Sequence, residues 1–121
     1  KHINVSVDGA SAGTYETLRR GGDWNKIQHN LEFIGEKKSL GYHYELHMVV
    51  QKSNWREMPT MLSLGRRVGA DRVQFTKLAD WGTLNDFESQ QPPLDSAEFN
   101  DLLKQCENDP IGHTWLSPES F

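Results

Sequence analysis

Three segments of the chain alternate apolar and polar residues, and this repeated alternation constrains the fold more than any other feature. In residues 3–8, three aliphatic side chains share one face and polar side chains take the other, which is the period-two pattern of a strand. The same alternation recurs in residues 43–51 and in residues 72–78. Strands covered on both faces of a parallel sheet are usually apolar throughout, so each polar face here requires water or a ligand opposite it.

The segments between the predicted strands have helical patterns. A short helix is expected at about 14–19, and Asp23 is expected to cap a longer helix that stops at Gly41. A further helix is expected after Asn54, because the spacing from Asn54 to Glu57 is that of a capping box. The predicted buried positions are Trp24, Ile27, Leu31 and Ile34 in the first long helix and Met58, Met61, Leu62, Gly65 and Val68 in the second.

The C-terminal third has one further helical pattern. Residues 79–93 predict an irregular loop, and Asp95 or Ser96 is expected to cap a last helix. On that helix Cys106 falls on the apolar face, which predicts a buried thiol and not a reactive one. Residues 109–121 show no period and predict irregular structure. The other apolar positions of the last helix are Phe99, Leu102 and Leu103.

The alternation of strands and helices predicts an α/β chain whose parallel strands are joined by right-handed crossovers. Strands with apolar faces outward and polar faces inward are expected in a slice of a βα-barrel whose interior holds a polar ligand. A doubly wound parallel sheet is the alternative. It requires apolar residues on both faces of its strands, which these segments do not supply.

Composition excludes several classes of protein. The 121 residues suit one domain, and the net charge of -4 argues against nucleic-acid binding through a broad basic surface. No apolar run approaches the roughly 20 residues of a membrane span. A single cysteine allows no intrachain disulfide and suits a reducing cytoplasm. The chain begins in a predicted strand and without Met, so we expect it to be a piece of a longer protein.

The histidines do not predict a metal site. The five histidines are scattered along the chain, without cysteine or histidine partners at zinc-binding spacing, so no zinc site is expected. His47 falls on the polar face of its predicted strand, where Glu45 is expected to pair with it.

Several short motifs resemble, in order and spacing, the second half of a radical S-adenosylmethionine domain, of the subfamily that often carries a cysteine-rich extension. The likeness covers about residues 3–88 and implies that residues 1–88 form the C-terminal half of a partial (βα)6 TIM-like barrel, with the three predicted strands as its fourth, fifth and sixth. Residues 89–121 then supply a loop, a helix and an irregular tail. The motifs are SVDGAS at 6–11, TYE at 14–16, LRRGGDW at 18–24, MVVQKSN at 48–54 and EMP at 57–59.

The resemblance implies a site for S-adenosylmethionine at the C-terminal edge of the strands. Ser6 would hydrogen-bond the methionine or ribose end of the cofactor, and Asp8 would orient its loop. Arg19 would pair with the methionine carboxylate, a role that suits a guanidinium group. The plainer alternatives are that Ser6 and Asp8 satisfy backbone groups at a strand end and that Arg19 is a solvated charge. The residues expected to flank the adenine are Val49, Gln51 and Leu78.

The chain departs from the family pattern in one important respect. The cysteine triplet that ligates the 4Fe-4S cluster is absent, so the resemblance implies an inactive fragment of an iron-sulfur oxidoreductase that cleaves S-adenosylmethionine. Its substrate, a small molecule or a peptide, is not identified by the sequence. The alternative function is a non-catalytic α/β binding or interaction domain. A halved barrel is also expected to self-associate through the exposed edge of residues 3–7, unless the last helix covers the exposed sheet.

Overall fold

The computed structural model describes residues 2–19, 21–78 and 90–116, so residues 79–89 of the predicted loop at 79–93 lie outside the described residues. The strands are β1 (His2–Ser6), β2 (His43–Val50), β3 (Arg72–Lys77) and β4 (Gly112–His113). The α-helices are α1 (Ala12–Leu18), α2 (Trp24–Glu36), α3 (Met58–Arg67) and α4 (Ala97–Asn108), and single 3-10 turns span Lys38–Leu40 and Trp55–Glu57.

The four strands form one parallel sheet in the order β1-β2-β3-β4, which confirms the predicted α/β class. Sequential parallel strands joined by right-handed crossovers place the connecting helices on one face of the sheet. Among the described strands the order never reverses, whereas a doubly wound sheet needs a reversal between its halves.

The two faces of the sheet differ as the alternation predicted. Every second residue of β2 is completely buried beneath the helices, and the intervening residues are half-buried on the polar face. Val73 and Phe75 of β3 are likewise inaccessible to solvent. The buried residues of β2 are Tyr44, Leu46, Met48 and Val50.

The predicted helical stripes pack into the same core. Leu31 is the most buried member of the α2 stripe. Four of the five positions predicted for the next helix are buried within α3, and the fifth, Val68, is buried directly after its end. A Cβ atom at Gly65 would lie 2.5 Å from Cγ2 of Val73, so the expected close approach of α3 to the sheet is confirmed. The core residues of α4 are Phe99, Leu103 and Cys106.

Two helices begin directly after the residue that was predicted to cap them. The Asp23 carboxylate accepts a hydrogen bond from the Lys26 N–H at 3.2 Å, and the Ser96 hydroxyl accepts one from the Phe99 N–H at 3.3 Å. Gly41 has φ of 91°, a conformation that favours glycine, and it follows a 3-10 turn after α2.

Two predictions from the sequence are wrong. The capping box does not form, because Asn54 precedes a 3-10 turn that ends at Glu57 and neither side chain caps a helix. The tail is not wholly irregular, because Gly112 and His113 form β4 beside β3. A strand of two residues is too short to show a period, so backbone pairing with β3 defines it.

A membrane span requires about 20 predominantly apolar residues in one helix, and the described helices do not meet this requirement. None of them is both long enough and apolar enough to cross a bilayer.

Candidate functional site

The loops that follow β1 and β2 meet at the C-terminal edge of the sheet, and one buried amide joins them. The Asn54 side chain is only 1% exposed. Its Nδ2 donates to the carbonyl oxygen of Asp8 at 3.0 Å and to that of Val49 at 2.8 Å. Its Oδ1 accepts from the backbone N–H of Gln51 at 2.8 Å. Asn54 therefore fixes the ends of both strands relative to each other.

Asp8 makes a second connection between the same loops. Its Oδ1 accepts a hydrogen bond from the backbone N–H of Val49 at 3.1 Å. This contact is consistent with the expected role of Asp8 in orienting its loop, and equally with the plainer role of satisfying a backbone group.

Glu57 fastens the loop between β1 and α1 from the other side. Its carboxylate accepts from the backbone N–H of Ala10 at 2.6 Å, from the Ser11 hydroxyl at 2.8 Å and from the Thr14 hydroxyl at 2.7 Å. This role of Glu57 was not predicted from the sequence, since its spacing from Asn54 suggested a local cap. The sequence feature that indicates this contact is a carboxylate after one predicted strand together with hydroxyl groups after the neighbouring strand.

Five of the six predicted cofactor-binding residues lie along this edge. Ser6 is exposed on the polar face in register with His47, and the N–H of Leu78 donates to the carbonyl oxygen of Val50 at 3.2 Å. Arg19 is exposed at the C-terminal end of α1, and no recorded contact within the described residues joins it to the other five. The half-buried members of the edge are Asp8, Val49, Gln51 and Leu78.

The groups at this edge differ in how well they suit the two cofactors that the resemblance implies. The Ser6 hydroxyl is able to hydrogen-bond the polar part of S-adenosylmethionine. The half-buried side chains of Val49 and Leu78 are able to pack against its adenine. A 4Fe-4S cluster does not fit the residues of this chain, because the sequence has one cysteine and Cys106 lies in the core. Burial, assisted by the charge of Asp109, raises the pKa of the Cys106 thiol to about 12 and keeps the thiolate ligand from forming.

A second polar cluster lies at the N-terminal end of the same face. The Glu45 carboxylate contacts Nε2 of His43 at 2.7 Å and Nε2 of His47 at 3.0 Å, which confirms the expected pairing with His47. Burial raises the pKa of Glu45, but hydrogen bonds from His47 and His43 and the charge of Arg72 outweigh it, so the pKa is lowered. His2 of β1 lies directly across from His43, with ring centroids 5.1 Å apart.

Comparison with known proteins finds similarity to PqqA peptide cyclases. PqqA peptide cyclase of Methylobacterium sp. (strain 4-46) is 30% identical over 86 residues, which are 69% of this chain and 22% of the relative. The enzyme of the same name from Methylorubrum extorquens (strain PA1) is 28% identical over the same shares of both chains. This similarity is distant and partial. It supports the radical S-adenosylmethionine resemblance only at that level, since the chain spans about a fifth of these relatives, and no protein-family model matches it.

Proposed function

We propose that this chain is the C-terminal half of a radical S-adenosylmethionine barrel and forms one wall of the cofactor site in an iron-sulfur oxidoreductase. The observation that carries the proposal is the alignment of Ser6, Asp8, Val49, Gln51 and Leu78 along the C-terminal edge of one parallel sheet. In βα-barrels this edge carries the chemistry. The distant similarity to PqqA peptide cyclases supports the same conclusion from sequence.

The proposed roles follow from where the side chains lie. The Ser6 hydroxyl donates a hydrogen bond to the ribose or methionine end of the cofactor, and Val49 and Leu78 exclude water from the adenine together with Gln51. Asp8 and Asn54 hold the two loops at a fixed separation through their contacts with Val49. Arg19 supplies the positive charge for the methionine carboxylate.

A reduced 4Fe-4S cluster bound elsewhere in the longer protein would supply the electron that cleaves S-adenosylmethionine at this edge and so starts radical chemistry. The cysteine ligands of that cluster come from outside these 121 residues, because Cys106 is the only cysteine in the chain and is buried. By itself the chain is therefore inactive. A peptide is favoured over a small molecule as the substrate, since the relatives are named for a peptide. We place the reaction in the cytoplasm, where a free thiol stays reduced.

The proposal is tested in the longer protein that contains this chain, reconstituted with iron and sulfide. Calorimetric titration with S-adenosylmethionine compares the wild type with Ser6→Ala and Arg19→Ala. Losing one charge-assisted contact costs about 1.5–3 kcal/mol, so we expect affinity to fall by roughly 10- to 150-fold at unchanged thermal stability. Ser63→Ala and Arg67→Ala, on the exposed part of α3, are the matched controls and should bind as the wild type does. Wild-type affinity in both test variants would refute the assigned roles.

The alternative, a non-catalytic α/β binding domain, is favoured by the lack of cluster ligands in the chain itself. The coding sequence upstream of residue 1 decides between the two functions. Three cysteines at the spacing of the radical S-adenosylmethionine family would support the enzyme, and their absence would support the binding domain.

A further inference from the structure

The cluster at the N-terminal end of the sheet brings His2 together with His43 and Glu45, which lie more than 40 residues further along the chain. His2 lies across from His43 in the β1–β2 register, and Glu45 is two residues further along β2 on the same face. One ligand atom from each of these residues lies within 4.8 Å of the other two. Along β1, His2 and Ser6 are four residues apart, roughly 13 Å at about 3.3 Å per residue, so the three ligands are distinct from the proposed cofactor edge. The two regions adjoin at His47, which contacts Glu45 and lies in register with Ser6.

The spacing suits a small divalent cation. Zinc binds imidazole nitrogen and carboxylate oxygen at about 2.0–2.2 Å, so tetrahedral ligand atoms stand roughly 3.3 Å apart. The distance from His43 Nε2 to Glu45 Oε2 is 2.7 Å, and the widest separation in the cluster is at most 4.8 Å. These values bracket the required spacing, and His2 is exposed and able to adjust its position.

Two of the three ligands have polar neighbours outside the cluster. Nδ1 of His43 lies 3.8 Å from Oδ2 of Asp71, and that oxygen also accepts from the backbone N–H of Tyr44 at 2.9 Å. Zinc-binding histidines characteristically hydrogen-bond a carboxylate through their second ring nitrogen, and Asp71 lies near His43 for this role, although 3.8 Å is longer than a hydrogen bond. Asp71 is held in turn by an ion pair with Lys38. The other oxygen of Glu45 accepts from His47, which leaves Oε2 directed at His43.

We propose that His2, His43 and Glu45 bind a zinc ion, with water as the fourth ligand. Three protein ligands and an open position are the arrangement of zinc sites that retain an exchangeable ligand. The charge of Arg72 acts on Glu45 and opposes cation binding, so it weakens the site. The expectation of no zinc site rested on spacing along the chain, whereas parallel pairing of β1 with β2 supplies the missing neighbour.

The test is calorimetric titration of the untagged 121-residue chain with zinc chloride near neutral pH. We expect one equivalent of zinc to bind and at least a 10-fold loss of affinity in His43→Ala and in Glu45→Gln. His29→Ala, on the exposed face of α2, should bind zinc as the wild type does. Arg72→Gln should bind more tightly, a gain that general loss of folding cannot produce.

Cobalt(II) provides an independent readout, because its visible absorption reports tetrahedral coordination. Circular dichroism establishes that each variant is folded, and Glu45→Gln preserves the shape of the side chain. Absence of stoichiometric zinc binding in the wild type would overturn the proposal. Equal loss of affinity in His29→Ala, or undiminished binding in both His43→Ala and Glu45→Gln, would overturn it as well.

Discussion

Nδ2 of the buried Asn54 lies 3.0 Å from the carbonyl oxygen of Asp8, across 46 residues of sequence. The same amide also contacts the backbone at Val49 and Gln51, so one side chain satisfies three backbone groups from two loops. A buried amide with all these partners stabilises the arrangement, whereas its removal leaves backbone groups unpaired. The geometry of the proposed cofactor edge thus depends on a residue that does not contact the cofactor in our proposal.

Asn54→Ala is expected to lower the free energy of unfolding by about 2–3 kcal/mol, because it leaves buried donors and acceptors without partners. Urea denaturation followed by circular dichroism measures the change. Asn30→Ala, at an exposed position of α2, is the control and should be neutral or slightly stabilising, since alanine favours a helix. Equal effects in the two variants would contradict a structural role for Asn54.

Gly35→Ala is expected to destabilise the chain by about 1–3 kcal/mol, because the new Cβ would lie 1.8 Å from the carbonyl oxygen of Val68. Backbone at this contact cannot move aside without separating α2 from the end of α3. Gly13→Ala is the matched control, since a Cβ there meets nothing within 4 Å, and stability should be unchanged or rise by up to about 1 kcal/mol. Thermal unfolding of both variants checks the difference, and a neutral Gly35→Ala would show that the helices are not in contact as described.

Asp109 is expected to make folding sensitive to acid. Burial raises the pKa of Asp109. Hydrogen bonds from Arg66 and from the Ile111 N–H, together with the charge of Arg66, lower it by more, so the folded-state pKa is below the ordinary value of 3.8. The stabilisation is therefore complete above the unfolded-state pKa and is lost as pH falls through the folded-state pKa.

Asp109→Asn should consequently reduce stability near neutral pH and flatten the decline in stability below about pH 4. Urea midpoints measured from pH 7 down to pH 3 test this expectation. Asp101→Asn, at an exposed position of α4, is the control. If both variants decline in parallel with the wild type, Asp109 does not contribute to the acid sensitivity.

The outer edge of β1 is expected to drive concentration-dependent dimerisation, because β1 pairs only with β2 among the described strands. The N–H of Val7 donates to the carbonyl oxygen of His47 and therefore points toward β2. Because the N–H groups of successive residues point to opposite sides of a strand, the N–H of Asn4 points away from β2, to the outer edge. Asn4→Pro removes that outer donor without removing a bond to β2 and should shift the equilibrium to monomer. Asn4→Ala is the matched control, and sedimentation equilibrium that shows only monomer in the wild type would defeat the prediction.

Local patterns predicted most of the fold, and the exceptions have physical reasons. The alternation in β2 and the apolar stripe of α3 identified buried positions correctly, because burial on one face imposes a period on the sequence. The roles of Asn54 and Glu57 were not predicted, since both side chains bind a loop more than 40 residues away. His2 and His43 became neighbours only through the register of two strands. Such long-range contacts leave no spacing signal in a single sequence.

The most direct test of the proposed cofactor edge is a nuclear magnetic resonance titration of the 15N-labelled chain with S-adenosylmethionine. We expect amide shifts at the ends of β1, β2 and β3 and in the region of Arg19, with much weaker shifts in Ser6→Ala. The strand-end residues expected to shift are Ser6, Asp8, Val49, Gln51 and Leu78. ADP, which has the adenosine but no methionine carboxylate, is the control ligand and should leave the region of Arg19 unaffected. Absence of shifts at millimolar ligand, or shifts at the His43 end of the sheet instead, would contradict the account.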